Sequence, residues 1–175
     1  MIEDAIIESN ISPSKLKQMF DYRLSRLRQS MAKKNISLVI LQNPVSLRYA
    51  IDFDEYQLFQ SHIPTCYLFV PIEGPIVMHG SVRRDFPNVD EYKRPCFISP
   101  FDGGVELKDK AELFCKELKQ FTGEYCQNNQ IGIERMSPEV FNTLRDANFQ
   151  LTDAECILEQ AKKIKCVTEI ECIKN

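Results

Sequence analysis

Only two histidines, His62 and His79, occur in 175 residues, and neither stands in an H-x-x-x-H arrangement. Asp52 and Asp54 make a D-x-D, but the glycine turn and terminal glutamate of a calcium loop do not follow. Metal centres need clustered ligands, so no metal or cofactor site is expected within the chain. Glycine is equally sparse, with six residues, and the pair Gly103-Gly104 has neither G-x-G-x-x-G nor Walker spacing. A G-x-S-x-G nucleophile elbow is also missing. The longest apolar runs, Leu38 to Leu41 and Tyr67 to Ile72, are far too short for a bilayer span. Met1-Ile2-Glu3-Asp4-Ala5 lacks the basic and apolar regions of a signal peptide. With a net charge of −3, no global field attracts nucleic acid or anionic lipid. The seven cysteines form no C-x-x-C pair, as expected of reduced thiols in a cytoplasmic protein.

What is present is the composition of one ordinary globular domain, 43% hydrophobic and 27% charged. Ser12-Pro13 opens a helix whose apolar residues run from Leu16 to Met31, and Asn35 can close it. Ser37 to Leu41 reads as a buried central strand, and Asn43-Pro44 opens a short helix through Ala50. Residues 52 to 65 show neither period and read as a long loop. Tyr67 to Ile72 and Ile76 to His79 read as a hairpin turning at Glu73-Gly74-Pro75, and Arg94 to Ile98 as a further strand. The turn Asp102-Gly103-Gly104 precedes a helix carrying Ala111, Phe114, Leu118 and Phe121. A strand over Ile131-Gly132-Ile133-Glu134, a helix capped by Ser137-Pro138, and a helix from the box Thr152-Asp153-Ala154-Glu155 complete the pattern. Strands and amphipathic helices in alternation, with one hairpin, imply a three-layer α/β/α sandwich around a mixed sheet.

Thr168-Glu169-Ile170-Glu171 reads as a further capping box, so a helix is expected to start there, close to the last residue, Asn175. A helix start with so little behind it suggests a polypeptide that continues. Long loops on rigid scaffolds tend to carry function. Within residues 53 to 64 the candidates are Asp54, Tyr56, Phe59 and His62. Cys66, four residues beyond His62, makes a cysteine–histidine pair formally possible; opening an apolar strand, it reads instead as a small core residue. His79 reads as a structural histidine at a strand end.

Arg23 to Met31, the strand Leu38 to Leu41, Asn43-Pro44 and Leu47-Arg48-Tyr49-Ala50 together resemble the N-terminal domain of the creatinase/prolidase (Xaa-Pro peptidase) family. The resemblance continues through Ile131-Gly132-Ile133-Glu134, Asp153-Ala154, Lys163-Ile164-Lys165 and Thr168-Glu169-Ile170, over roughly residues 14 to 175. The stretch from His62 to Pro71 with Glu73-Gly74-Pro75 is similar to the branch containing dimethylsulfoniopropionate lyases, departing from it at Phe59 and Cys66, where that branch favours Trp and Arg.

The resemblance implies an N-terminal extension at 1–13, a creatinase-like domain at 14–164, and the start of a hinge helix at 165–175 leading to a separate pita-bread catalytic domain. In that family two divalent metals are held by two Asp, one His and two Glu of the downstream domain, so no residue here inherits a ligand role and no activity is expected of this chain alone. It implies a homodimer partner, contact with the chain's own catalytic domain, and a short-peptide or small-molecule substrate admitted past residues 53 to 64. Tyr56 and Phe59 would give apolar walls there and His62 a hydrogen bond. A stand-alone interaction module derived from such a domain is the competing reading. Phe86, Phe97 and Phe101 are expected to be exposed for a second domain.

Overall fold

The computed structural model describes residues 12–174 apart from Tyr56, Pro64 and 82–83, and of residues 57–59 only the backbone. The proposed extension at 1–13 lies, but for its last two residues, outside this range.

Helix α1 (Pro13–Lys33) starts where expected, because the Ser12 hydroxyl accepts from the Lys15 amide and Pro13 has no amide to leave unpaired. It stops as Asn35 adopts the left-handed region, φ 56°. Strand β1 (Leu38–Leu41) is buried at every position, which requires layers on both faces. Helix α2 (Pro44–Ile51) begins at an Asn43 cap. Then come α3 (Gln57–His62), β2 (Tyr67–Pro71), β3 (Val77–His79) and β4 (Glu91–Lys93). Gly74 turns the β2–β3 hairpin with φ 110°, a conformation L side chains rarely adopt. After α4 (Pro100–Gly103) and a 3-10 turn at Gly104–Glu106 the chain forms α5 (Leu107–Tyr125), β5 (Gln130–Ile133), α6 (Pro138–Asp146), β6 (Gln150–Asp153), α7 (Glu155–Lys162) and α8 (Val167–Lys174).

The six strands order as β4-β3-β2-β1-β5-β6. β1 runs antiparallel to β2 and parallel to β5, so the sheet is mixed. Alternate residues of β1 feed two cores. Val39 and Leu41 meet α1, α2 and α7 through Leu27, Leu47 and Ile157. Leu38 and Ile40 meet α5 and α6 through Phe114, Leu118 and Val140. The expected α/β/α sandwich is present. Gly132 lets β5 approach β1 closely, since a Cβ there would lie 2.9 Å from Val39 Cγ1.

Several local expectations need correction. The strand expected at Arg94–Ile98 lies at Glu91–Lys93 instead; Pro95 has no amide for a ladder, and the Cys96 amide donates to the Tyr67 hydroxyl at 2.9 Å. The supposed loop 52–65 contains α3. The turn at Asp102 is the body of α4, with a Ser99–Asp102 capping box before it. Thr152 and Asp153 belong to the edge strand β6, and α7 has Ala154 at its cap without a side-chain bond. The last helix starts at Val167, so Thr168 lies inside it. Its reciprocal bond comes from Glu169, whose Oε2 accepts from the Cys166 amide at 2.9 Å. Phe86 is buried against Phe53, ring centroids 5.6 Å apart, whereas Phe97 and Phe101 are exposed as expected.

Candidate functional site

The candidate loop leaves α2 at Asp52, which caps the helix in the left-handed region, φ 57°. Burial lifts the Asp52 carboxyl above its usual range, with Arg48 pulling the other way. Phe53 is buried in the core. Asp54 is exposed, and its Oδ1 accepts from Arg84 Nη2 at 2.6 Å. The same nitrogen donates to the Asp52 carbonyl at 3.1 Å, and the guanidinium lies 4.6 Å from the Phe86 ring centroid. Arg84 thus ties the first half of the loop to the segment beyond β3.

The second half is tied by a residue that sequence reasoning passed over. Gln60 is buried. Its Nε2 donates to the carbonyls of Gln42 (3.0 Å) and Cys66 (2.7 Å), while its Oε1 accepts from the amides of Thr65 (3.0 Å) and Cys66 (3.1 Å). One side chain therefore takes the place of the backbone pairing that a loop lacks. Arg135 Nη1 donates to the Ser61 carbonyl as a second brace. The segment is a pinned structure rather than a free flap.

Asp54 and His62, the two candidates whose side chains are described, face different clefts. His62 is exposed and lines a cleft of about 380 Å³ with Ile98, Phe101, Arg135 and Met136. Asp54 points instead to Arg84, which lines a separate cleft of about 740 Å³ with Tyr92, Lys93, Arg94 and Phe97. Tyr56 and the side chain of Phe59 lie outside the described residues. The formal His62–Cys66 pair is not assembled either. Cys66 is buried, burial pushes its thiol up, and its Sγ is packed where a Cβ on Gly80 would come within 2.9 Å.

His79 is fully buried. Its ring stacks on Tyr67, with centroids 4.5 Å apart at 14°, and its Nε2 lies 2.9 Å from Glu117 Oε1. Burial works to raise the Glu117 carboxyl, but the His79 hydrogen bond and the nearby Lys93 outweigh it and hold the group below its ordinary value. Glu117 on α5 thus clamps the outer half of the sheet to that helix.

Glu134 is the other carboxylate the sequence left unassigned. It is buried at the end of β5, where its Oε2 accepts from the amides of Gln42 (2.8 Å) and Asn43 (2.7 Å), and its Oε1 from the Ser46 hydroxyl at 2.5 Å. Burial pushes its pKa up against those donors. A charged residue closing an otherwise apolar strand was the available signal, and the negative end of the side chain meets the positive N-terminus of α2. Among the described residues no group of three His, Cys, Asp or Glu side chains is arranged to hold a metal ion. Among the described residues, the buried carboxylates Glu134 and Glu169 both accept hydrogen bonds from within the fold.

A mixed six-stranded sheet between two helical layers is a domain of a recognisable class. Residues 23–164 match the family described as Creatinase/Prolidase N-terminal domain, and the chain belongs to that family. It is 25% identical over 161 residues to a dimethylsulfoniopropionate lyase, DddP, of Roseovarius nubinhibens, covering 89% of this chain. The chain spans only 36% and 37% of the length of the two curated lyases it resembles. Among solved structures, the N-terminal domain of the cytoplasmic peptidase PepQ from Mycobacterium tuberculosis gives a TM-score of 0.53 at 13% identity, over 80% of this chain and 98% of that one. Dipeptidase PepE from Mycobacterium ulcerans gives 0.54 at 15% identity, over 89% of this chain and 39% of that one. At such identities the likeness is one of fold.

Proposed function

We propose that this chain is the non-catalytic N-terminal domain of a metal-dependent Xaa-Pro-peptidase-like or lyase-like enzyme, serving dimerisation and substrate access for a separate catalytic domain. Besides the family match, the observation that carries the reading is the surface of the chain's last segment. Ile164, Val167, Ile170 and Ile173 are all between 43% and 73% exposed, an unusual density of aliphatic side chains in water. The helix bearing three of them is nevertheless held to the body by Arg23 and Lys15, and the Tyr22 hydroxyl donates to the Ile164 carbonyl just before it. An apolar stripe on an anchored helix suits a second body packed against it, and on this reading residues 165–175 form the hinge. The catalytic metals, two divalent ions, would belong to that second body, and no residue of this chain would ligate them.

Cytoplasmic residence fits the seven unbridged cysteines. No helix among the described residues is long and apolar enough to cross a membrane. The loop that carries Asp54 and His62 would contribute to the mouth of the partner's or the downstream domain's site by narrowing it and excluding water. The family match is equally compatible with a stand-alone interaction module.

The source gene beyond codon 175 separates the two readings. An open frame carrying two Asp, one His and two Glu in that order supports the accessory-domain reading. A stop codon at that point overturns it and leaves the interaction module.

A further inference from the structure

We propose that the cleft beyond the carboxyl ends of β1 and β5 is a binding site in its own right, for a small monocarboxylate with a flat apolar body. The first reason is topological. β1 and β5 are parallel neighbours, with Leu38 opposite Ile131. From β1 the chain passes into α2, whose Leu47 and Ile51 join one core, and from β5 into α6, whose Val140 and Leu144 join the other. Adjacent parallel strands whose connections leave to opposite faces open a crevice at their carboxyl ends, the place where open α/β sheets take up ligands. Gln42, just past β1, and Arg135, just past β5, both line the 380 Å³ cleft. That volume lies in the small-ligand range of roughly 300–1,000 Å³.

The walls set the class of ligand. Ile98, Pro100, Phe101, Met136 and Pro138 supply flat or polarisable apolar surface, which suits an aromatic ring. Among the described residues the ionisable groups lining the cleft are His62 and Arg135, and none of them is a carboxylate. Three carboxylates adjoin lining residues in sequence: Glu134 is engaged by Gln42, Asn43 and Ser46, Asp102 is engaged by the amide and hydroxyl of Ser99, and Glu139 is exposed on the first turn of α6 without lining the cleft. The bond from Arg135 to the Ser61 carbonyl steadies its guanidinium at the mouth. A planar fork held over an apolar cleft recognises a carboxylate, and a cationic ligand would be repelled. The second cleft lacks this arrangement, since two of its cations, Arg84 and Lys93, already face Asp54 and Glu117.

The test is a ¹H–¹⁵N NMR titration of the chain with 3-phenylpropanoate and with its neutral isostere, 3-phenylpropanamide. The acid should shift the amides of Gln42, Ile98, Ser99, Phe101 and Arg135 to Ser137, leave those of Gly80 and Lys93 in place, and bind about tenfold tighter than the amide. Arg135→Gln should weaken the acid by about tenfold and leave the amide unchanged, while Arg135→Lys should retain most of the affinity. Shifts centred elsewhere, no saturable shift, equal affinity for acid and amide, or equal loss in the Gln and Lys variants would overturn the assignment.

Discussion

Arg23 of α1 and Glu169 of α8 are joined across the sequence by a hydrogen-bonded ion pair, Nε to Oε1 at 2.9 Å, with the two side chains 17% and 8% exposed. The same guanidinium lies 5.1 Å from the Phe20 ring centroid and 5.2 Å from that of Tyr49. Glu169 also accepts from the Cys166 amide. One carboxylate thus starts the last helix and fastens it to the first. Glu169→Ala should release α8 locally. Amide exchange over residues 167–174 should rise by about tenfold or more while that of β1 stays unchanged. Uniform acceleration throughout the chain would show that the pair supports the whole fold instead.

Gln60 predicts an analogous local effect in the candidate loop. Truncation to Ala leaves the carbonyls of Gln42 and Cys66 and the amides of Thr65 and Cys66 without the partners they have now. Urea denaturation of Gln60→Ala should show a loss of about 2–4 kcal/mol. Proteolysis under native conditions should cut first within residues 53–65. An unchanged midpoint would mean that the loop is held by other contacts.

Glu134 separates a charge effect from a hydrogen-bonding effect. Glu134→Gln keeps an acceptor for the Gln42 and Asn43 amides and a donor for Ser46, and should cost about 1 kcal/mol. Glu134→Ala strands three buried donors at the start of α2 and should cost about 3 kcal/mol or more. Chemical denaturation measures both, and equal costs would contradict the proposed role.

Glu117 should make stability depend on acid. Its folded-state pKa is held below the ordinary value of 4.5. The stability it contributes is therefore present above that value and is lost as pH falls through the lower, folded-state one. Urea midpoints followed from about pH 6 to about pH 3 should fall more steeply for the wild type than for Glu117→Gln, with the two curves converging at the acid end. Parallel curves would remove Glu117 from the account.

Thiol labelling should follow exposure. Cys156 and Cys172 are exposed, whereas Cys66 and Cys115 are buried with burial-raised pKa values. At neutral pH a maleimide should modify the first two in the native protein and the second two only on unfolding. Preferential modification of Cys66 would revive a cysteine-dependent activity.

The layers of this fold were legible because their signals are local. Ser12-Pro13, Asn43-Pro44 and Ser137-Pro138 mark three helix starts, and the apolar run Leu38–Leu41 marks the central strand. β6 escaped because an edge strand with Gln150, Thr152 and Asp153 exposed has no apolar alternation to show. Pro95 breaks a ladder, and the strand Glu91–Lys93 is polar and exposed at each of its three positions, so neither carries an apolar strand signal. The candidate site was less legible still. The loop stands out in the sequence only by its length, while the residues that organise it, Gln60, Arg84 and Arg135, act through partners that no local period links to them. Asp54 and His62 share one loop in sequence, yet Asp54 pairs with Arg84 while His62, on α3, lines a different cleft. No spacing rule encodes that separation.

The central claim is that this domain performs no chemistry alone. Its most direct test is to load the purified chain with Mn²⁺, Zn²⁺ or Fe²⁺, remove excess metal by gel filtration, and measure retained metal together with turnover of Xaa-Pro dipeptides and dimethylsulfoniopropionate. The account predicts neither retained metal nor turnover. Stoichiometric metal on the chain, accompanied by turnover of either substrate, would contradict it.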